Sequence, residues 1–291
     1  MMVDPHPKSC QASQALQAEV ELVELVQLAR GTFRARFEQP EMARRVTPGQ
    51  FFMLRLAGCN DPLIGRALAL YDTVLSSSGE PLGIDVVFLV HGKFTSRLAA
   101  AKPGTKLIVW GPLGNGFPIA EAKHLVMVAG GIGQTPFPAV AREALGLRKY
   151  GEPARSVPRA EKVTLCYGAR TAELLAGLDD FAALGVEVRI ATDDGSRGHH
   201  GLVTEVLQRL LSESPQKPQI FTCGPEPMLA AVSKVAIGAE AACQVSLETP
   251  MACGIGICFS CVAKVSDEQG GWDYRRTCVE GPVFEARQLV W

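Results

Sequence analysis

From Leu125 onward the sequence repeats one unit, a short apolar strand followed by a helix. A strand that returns through a helix to the next strand pairs with it in parallel, and the connection is right-handed. The repeat therefore predicts a doubly wound parallel sheet with helices on both faces. The predicted strands are 125–129, 163–166, 186–191, 220–222 and 245–247, and the predicted helices are 136–147, 172–184, 203–211 and 228–237.

The chain before this repeat has a different pattern, with short alternating segments separated by Gly and Pro. Such segments are typical of a small antiparallel barrel, because each strand can return through a short turn. The predicted strands are 32–37, 51–54, 84–90 and 107–110, and one short helix is predicted at 95–101.

Together these patterns predict a fold of the α/β plus β class. The predicted parts are a disordered tail at 1–17, a β-barrel at 18–118, a parallel α/β domain at 119–243 and a small segment at 244–291.

Composition excludes several classes of protein. Formal net charge is −1, from 29 basic and 30 acidic residues. The sequence has no long basic run of the kind that binds nucleic acid. The apolar runs are strand-sized and fall far short of the roughly 20 residues of a membrane span. The start of the sequence lacks a signal-peptide pattern, so we expect a cytoplasmic protein.

Four of the nine cysteines are gathered near the C-terminus. Cys253, Cys258 and Cys261 have C-x4-C-x2-C spacing, and Cys278 follows at a distance, which is the plant-type pattern for a [2Fe–2S] cluster. A zinc site is the alternative, but zinc sites favour paired C-x2-C knuckles. We therefore predict that these four thiolates hold a [2Fe–2S] cluster.

A [2Fe–2S] cluster accepts one electron at a time, whereas a nicotinamide gives up a hydride. A flavin can convert between the two forms of transfer. The cluster therefore predicts a flavin, and the α/β domain is the place to look for a nicotinamide site.

Two glycine turns end predicted parallel strands. Gly130, Gly131 and Gly133 precede a helix whose free amides could bind a pyrophosphate, and Cys223, Gly224 and Pro225 end a second strand. Ligands of such sheets lie beyond the carboxyl ends of the strands, where the strand order reverses. These turns predict a site for NAD, although each could be only a packed glycine turn and Cys223 only a core cysteine.

Asp193 follows a third strand, next to Asp194. A carboxylate there could bind a ribose hydroxyl and repel a 2′-phosphate, which favours NAD over NADP. The alternative is a solvated Asp-Gly turn.

Several segments carry a resemblance to a known family. They are 48–51, 111–117, 129–133, 192–195, 223–225, 245–248, 251–261 and 278–284. In these segments the chain resembles the electron-transfer subunit of the two-component, NAD-linked bacterial dihydroorotate dehydrogenase, a ferredoxin-reductase-like flavoprotein. The segment 111–117, GPLGNGF, could otherwise be only a rigid linker.

The resemblance implies an FAD-binding barrel, an NAD-binding domain and a [2Fe–2S] segment. It also implies a hetero-oligomer with an FMN-containing catalytic subunit, which oxidises dihydroorotate to orotate in pyrimidine biosynthesis. No residue of this chain is assigned a catalytic role in that oxidation. The implied FAD-binding residues are Arg66, Ala67, Leu68, Ala69, Phe88, Leu89, Val90, Phe94 and Thr95.

The flavin segment departs from the family pattern at three places. Ala69 stands where the family has a serine, Leu89 stands where it has an arginine, and Phe94 replaces the glycine before Thr95. Two alternatives therefore stay open: a similar subunit of an NADH-dependent ferredoxin:NADP oxidoreductase, and a cluster-bearing regulatory module that has lost its flavin.

Overall fold

The computed structural model of the protein describes residues 15–214, 216–267 and 270–291. Most of the predicted tail lies outside these residues. Leu16 and Gln17, which the prediction placed in the tail, already form the start of the first strand. Within the described part of the chain, no helix is both long and apolar enough to cross a membrane.

Six antiparallel strands close into a barrel, in the order β1-β2-β5-β4-β3-β6. The strands are β1 (Leu16–Ala29), β2 (Thr32–Glu38), β3 (Phe51–Leu56), β4 (Arg66–Leu75), β5 (Pro81–Leu89) and β6 (Lys106–Leu113), and the helices are α1 (Pro40–Arg45) and α2 (Lys93–Ala99). The predicted helix at 95–101 is α2, which begins and ends two residues earlier than expected.

The barrel interior is filled by aromatic and aliphatic side chains. Phe37 and Phe52 meet edge to face with their ring centroids 6.2 Å apart, and Met42 of α1 is fully buried beside them. Burial of each such side chain contributes about 1.5–3 kcal/mol. The side chain of Gln39 caps α1 by accepting from the N–H groups of Glu41 and Met42.

The α/β domain has a sheet in the order β10-β9-β8-β7-β11-β12-β15. Its strands are β7 (His124–Gly130), β8 (Lys162–Ala169), β9 (Glu187–Thr192), β10 (His199–His200), β11 (Gln219–Cys223), β12 (Cys243–Ser246) and the antiparallel edge strand β15 (Val283–Glu285). The chain moves outward from β7 to β10 and then returns to β11 on the other side of β7. The strand order therefore reverses between β7 and β11.

The helices of this domain are α3 (Phe137–Ala144), α4 (Leu178–Ala183), α5 (Val203–Glu213) and α6 (Glu226–Gly238). The continuous helix predicted at 172–184 is wrong. A short 3-10 turn at Ala172–Leu174 and α4 replace it, because Gly177 between them is left-handed with φ 71°. A left-handed residue interrupts a helix.

The C-terminal segment contacts both domains. It contains the two-stranded hairpin β13 (Val262–Ser266) and β14 (Trp272–Arg276), and it then supplies β15 to the edge of the large sheet. Neither the hairpin nor β15 is among the elements predicted from the sequence.

Candidate functional site

The two glycine turns meet at the reversal of strand order. A Cβ on Gly224 would lie 3.0 Å from the backbone nitrogen of Gly130, and one on Gly133 would collide with the carbonyl oxygen of Cys223. Gly131 has φ 53° and would meet no atom within 4 Å. The turns are therefore packed against each other while Gly131 leaves its backbone open to a ligand, as nucleotide binding requires.

A buried polar atom with an unmet hydrogen bond lies just beyond the end of β8, the strand that pairs with β7. The hydroxyl of Thr171, just beyond β8, is buried and has no hydrogen-bond partner among residues 15–214, 216–267 and 270–291. Buried polar atoms are nearly always paired, so this orphan fits a site that a nucleotide completes. The unpaired Thr171 hydroxyl and the open backbone at Gly131 thus suit the binding of NAD(H).

Cys223 lies in the crevice beside Pro225, and its thiol is kept neutral. Burial, and then the nearby Glu248 carboxylate, raises the pKa of Cys223 to about 12, against a lowering by the hydroxyl of Ser246. A neutral thiol at the end of β11 packs against a ligand rather than attacking it. Glu248 was not among the predicted site residues, although it lies within a segment that carries the family resemblance.

The two aspartates after β9 are in different environments. The carboxylate of Asp194 accepts from the N–H of Ser196 at 3.0 Å and from its hydroxyl at 2.6 Å, and these bonds lower the pKa of Asp194. Asp193 is exposed; its backbone N–H donates to the carbonyl oxygen of Ala169 at 3.1 Å, and its carboxylate makes no hydrogen bond or ion pair with any residue that the structure describes. Asp193 is therefore the carboxylate that is free to meet a ribose.

The flavin motif lies on β4, and its side chains have different surroundings. Arg66 is exposed, and its Nη1 donates to the carbonyl oxygens of Ile64 at 3.2 Å and Gly65 at 3.1 Å. Leu68 packs against the barrel core. Ala67 instead packs against an apolar group that includes two cluster cysteines; we call this the junction group, and it comprises Phe51, Met53, Leu113, Cys261 and Cys278 with the partly buried Ala15, Ala67, Trp110, Met251 and Val279.

Ala69 is placed between the iron–sulfur segment and the nicotinamide domain. Two residues before it, Ala67 contacts the junction group, and two residues after it, the hydroxyl of Tyr71 donates to Asp180 Oδ2 at 2.5 Å. A flavin ring against Ala69 would therefore lie between both redox partners.

The second flavin segment contributes mainly its backbone. The side chains of Phe88 and Phe94 are 1% exposed and belong to the barrel core. Of these two predicted FAD-binding residues, only the main chain is therefore available to contact FAD. Leu89 is exposed and Val90 packs against the core. Thr95 shapes the turn before α2, since its Oγ1 accepts from the N–H of His91 at 2.7 Å.

This turn is open where a phosphate could approach. A Cβ on Gly92, which has φ 85°, would meet no atom within 4 Å. Lys93 follows at the start of α2, and its ammonium pairs with Asp61 at 2.9 Å. An open backbone and a nearby ammonium suit the pyrophosphate of FAD. The family has an arginine at the position of Leu89, and Lys93 supplies a cation near the turn in its absence.

The four predicted cysteine ligands lie together as two pairs. The thiols of Cys253 and Cys258 interact with each other, as do those of Cys261 and Cys278, and the second pair is buried within the junction group. Two irons with two thiolates each need such pairs. Among the described residues, no group of three or more His, Cys, Asp or Glu side chains is placed to hold a single metal ion.

The environments of these thiols differ strongly. Cys258 is exposed, and hydrogen bonds from the hydroxyl and N–H of Ser260, and then from Cys253, lower its pKa to about 6. Cys278 is buried, and burial raises its pKa to about 12. The cluster would therefore be anchored on a buried side and reach the surface at Cys258.

Glycines and donors hold the cysteine loop against the barrel. Gly254 has φ 74°, and a Cβ there would lie 2.6 Å from Met53 Cγ; Gly256 has φ 84° and would place a Cβ 2.6 Å from Val279 Cγ2. Only glycine fits both positions. The indole Nε1 of Trp110 donates to the carbonyl oxygen of Cys253 at 2.9 Å, which ties the loop to β6.

The segment GPLGNGF is more than a linker, because Asn115 joins the barrel to the cluster segment. Its Nδ2 donates to the carbonyl oxygen of Val283 at 2.8 Å, and its Oδ1 accepts from the N–H of the same residue at 2.9 Å. Its backbone N–H donates to Gly281. Asn115 thereby positions the residues that connect Cys278 to β15.

Solved structures agree on the class of protein. A chain described as NADH-dependent reduced ferredoxin-NADP oxidoreductase, from a study of flavin-based electron bifurcation, superposes with a TM-score of 0.76 at 28% identity, covering 94% of this chain and 90% of its own. A ferredoxin reductase of carbazole 1,9a-dioxygenase shares the fold, with a TM-score of 0.62 at 21% identity over 78% of this chain and 67% of its own. The fold and the paired sites define a ferredoxin-reductase-like oxidoreductase.

Sequence relatives narrow this class. Residues 248–290 match the iron-sulfur cluster binding domain of dihydroorotate dehydrogenase B, and 127–234 match an oxidoreductase NAD-binding domain. The dihydroorotate dehydrogenase B (NAD(+)) electron transfer subunit of Desulforamulus reducens is 34% identical, covering 96% of this chain and 99% of its own length. That of Caldanaerobacter subterraneus is 34% identical, covering 84% and 87%.

This chain belongs to the family of dihydroorotate dehydrogenase B electron transfer subunits. The resemblance, the fold class and the cofactors [2Fe–2S], FAD and NAD(H) that the sequence predicted are thereby confirmed.

Proposed function

We propose that this chain passes electrons between NAD(H) and a separate subunit that oxidises dihydroorotate, by way of FAD and the [2Fe–2S] cluster. One observation carries the proposal: Ala67 of β4 contacts the junction group of the cluster cysteines, and Tyr71 of the same strand contacts the nicotinamide domain. Strand β4 thus borders both the iron–sulfur segment, which carries single electrons, and the nicotinamide domain, which exchanges a hydride.

Bound FAD supplies the exchange between a hydride and two single electrons. The chain's own residues bind and orient the groups. Gly131 and Asp193 would hold NAD(H), Arg66 and the turn at Gly92 would hold FAD, and the four thiolates would hold the irons. The overall conversion is dihydroorotate and NAD+ to orotate, NADH and a proton.

The partner in this proposal is an FMN-containing catalytic subunit. The surface beside Cys258 supports a docked partner, because Ile257 is 74% exposed and Phe259 is 64% exposed. Exposed apolar side chains around a site that must exchange electrons are typical of an interaction surface. Ile255, Ile257 and Phe259 form what we call the cluster-side patch.

The backbone conformation of Phe259 further supports the cluster-side patch as the surface that contacts the partner. Phe259 has φ 55°, which a bulky residue adopts at a cost of about 1–3 kcal/mol. The guanidinium of Arg276 lies 5.1 Å from the ring centroid, and its Nη1 donates to the carbonyl oxygen of Gly256 at 3.1 Å. An exposed aromatic ring held in a strained conformation beside a cluster ligand is well placed to contact a partner.

The test is reconstitution. The purified chain, with its iron, sulfide and flavin content measured, is mixed with an FMN-containing dihydroorotate-oxidising subunit, and NADH formation from dihydroorotate is followed at 340 nm. We expect a stable complex and NADH formation that requires both chains. If no NADH forms when both chains carry their full complement of cofactors, the proposal is refuted.

A second candidate has support from the structural comparison at 28% identity: a subunit acting between NADPH or NADH and ferredoxin. Reduced ferredoxin with NADP+ in place of dihydroorotate with NAD+ discriminates between the two. Exposed Asp193 disfavours NADP+ as the nucleotide. A chain that holds the cluster but no flavin after gentle purification would instead support the regulatory module.

A further inference from the structure

Strand β4 contains a β-bulge directly after the flavin motif. Leu70 pairs with Val86 and Asp72 pairs with Asp85, so Tyr71 has no partner residue on β5. A bulge of this kind places an extra residue in one strand and re-aims its side chains. As a result, the consecutive residues Tyr71 and Asp72 both reach the α/β domain instead of pointing to opposite faces.

Asp72 is bound by three side chains of the α/β domain. Its Oδ1 accepts from Arg148 Nη1 at 2.9 Å and from the hydroxyl of Tyr150 at 2.8 Å. Its Oδ2 forms an ion pair with Arg142, whose Nε lies 2.5 Å away but does not meet hydrogen-bond geometry. Hydrogen bonds to a charged group are roughly twice as strong as neutral ones. Asp72 is therefore a rigid attachment of β4 to the other domain.

Tyr71 makes a second attachment a few ångströms away. Its side chain is 2% exposed, and burial, with the neighbouring Asp180 carboxylate, raises the pKa of Tyr71 well above its ordinary value, so the hydroxyl remains a donor to Asp180. A Cβ on Gly177 would lie 2.5 Å from this hydroxyl and 3.6 Å from Gln134 Oε1. We call Tyr71, Asp72, Arg142, Arg148, Tyr150 and Asp180 the interdomain clasp.

The interdomain clasp connects β4, which carries the flavin motif, with α3, which follows the glycine turn of the nicotinamide site. On the barrel side, Tyr71 is two residues from Ala69, which belongs to the predicted flavin motif. On the other side, Arg142 belongs to α3, which begins just after the glycine turn at Gly131. No long or exposed loop intervenes between the flavin strand and the nicotinamide turn along this path.

We propose that Tyr71 and Asp72 are positioning residues for hydride passage between NAD(H) and FAD, because they fix β4 to α3 and α4. This inference rests on the proposed function. Hydride passage requires the donor carbon of the nicotinamide and the acceptor nitrogen of the flavin to approach within about 3–3.5 Å, and a 1 Å error can cost about 100-fold in rate. A fixed distance between β4 and the glycine turn supplies that precision.

The test compares Tyr71→Phe and Asp72→Asn with the wild-type holoprotein. Stopped-flow measurement of flavin reduction at increasing NADH concentration separates the limiting rate from the half-saturating concentration. We expect the limiting rate to fall by about 10-fold or more, with little change in half-saturation, in FAD content or in the cluster spectrum. Hydrogen–deuterium exchange should rise in α3 and α4.

Asp85→Asn is the matched control. Asp85 is a buried carboxylate opposite Asp72 in the ladder, but its hydrogen bonds go to Arg36 of the barrel strand β2 at 2.8 Å. We expect this variant to raise exchange in the barrel and to leave the limiting rate of flavin reduction unchanged.

Two results would overturn the inference: a wild-type limiting rate in both fully loaded clasp variants, or an equal loss in Asp85→Asn. If wild-type FAD is not reduced by NADH, the proposed function fails. The exchange measurement then still decides the clasp, because unchanged exchange in α3 and α4 in both variants would refute the attachment itself.

Discussion

Cys258 is the exposed member of the four cysteines, and it offers the sharpest test of ligand identity. We expect Cys258→Ser to abolish the visible absorption and electron paramagnetic resonance signals of the cluster while NADH binding is retained, since the nicotinamide crevice is built from other elements. Iron and sulfide analysis with NADH titration measures both. Cys59→Ser, a change of another accessible free cysteine, should leave the cluster intact, and equal loss in both variants would contradict the assignment.

Ala69 allows a gain-of-function test. We expect Ala69→Ser to supply a hydroxyl at the position that we propose to face the flavin, and to tighten FAD binding by about 2- to 10-fold, the equivalent of one net hydrogen bond. Fluorescence titration of the flavin-free protein measures this. Ala67→Ser adds the same hydroxyl against the junction group and should give no gain. Unchanged FAD affinity in Ala69→Ser would place the flavin ring elsewhere.

The predictability of single residues depended on how local their signals are. Cys253, Cys258 and Cys261 could be identified because their spacing alone encodes the ligand loop. Tyr71 and Asn115 could not, because their partners lie 109 and 168 residues away in the sequence. No local pattern distinguishes a tyrosine that crosses a domain boundary from one that fills a core.

At the scale of elements, the parallel repeat was predicted well and the barrel was predicted incompletely. β1, LQAEVELVELVQLA, was missed because its Leu, Val and Glu residues suit a helix as well as a strand. Pairing with β2 and β6 decides its conformation. β4 was missed because RALALYDTVL begins with residues of low β-propensity, and its place between β3 and β5 depends on tertiary contacts.

The connection between β6 and the cluster segment gives a prediction at this scale. We expect Asn115→Ala to reduce the free energy of unfolding by about 1–3 kcal/mol, because it leaves the backbone groups of Val283 unpaired. Thermal denaturation followed at the cluster absorption should show earlier cluster loss.

Gln219→Ala is the matched control for this prediction. The Gln219 amide makes a similar two-point contact, with the carbonyl oxygen of Pro118 at 2.8 Å and the N–H of Ala120 at 3.1 Å, but holds the linker to β11 instead. It should destabilise the α/β domain without advancing cluster loss relative to unfolding. Simultaneous loss of cluster and fold in both variants would argue against a specific role for Asn115.

At the scale of the whole molecule, the cluster-side patch should control partner binding. We expect Ile257→Glu to weaken association with the catalytic partner subunit by at least about 10-fold, since a charge would be desolvated at the centre of the contact. Surface plasmon resonance with the loaded chain measures this. Leu202→Glu changes an apolar residue that is 60% exposed on the α/β domain and should bind normally. Equal binding of both variants would place the partner elsewhere.

The position of β15 bears on how the protein is synthesised. The barrel and the six parallel strands are complete before residues 248–290 leave the ribosome, and only β15 then joins the sheet, at its edge. Domains generally fold as units from the N-terminus during synthesis. Because iron delivery needs Cys278, we expect it to take place late, on a scaffold whose barrel and parallel strands are already folded.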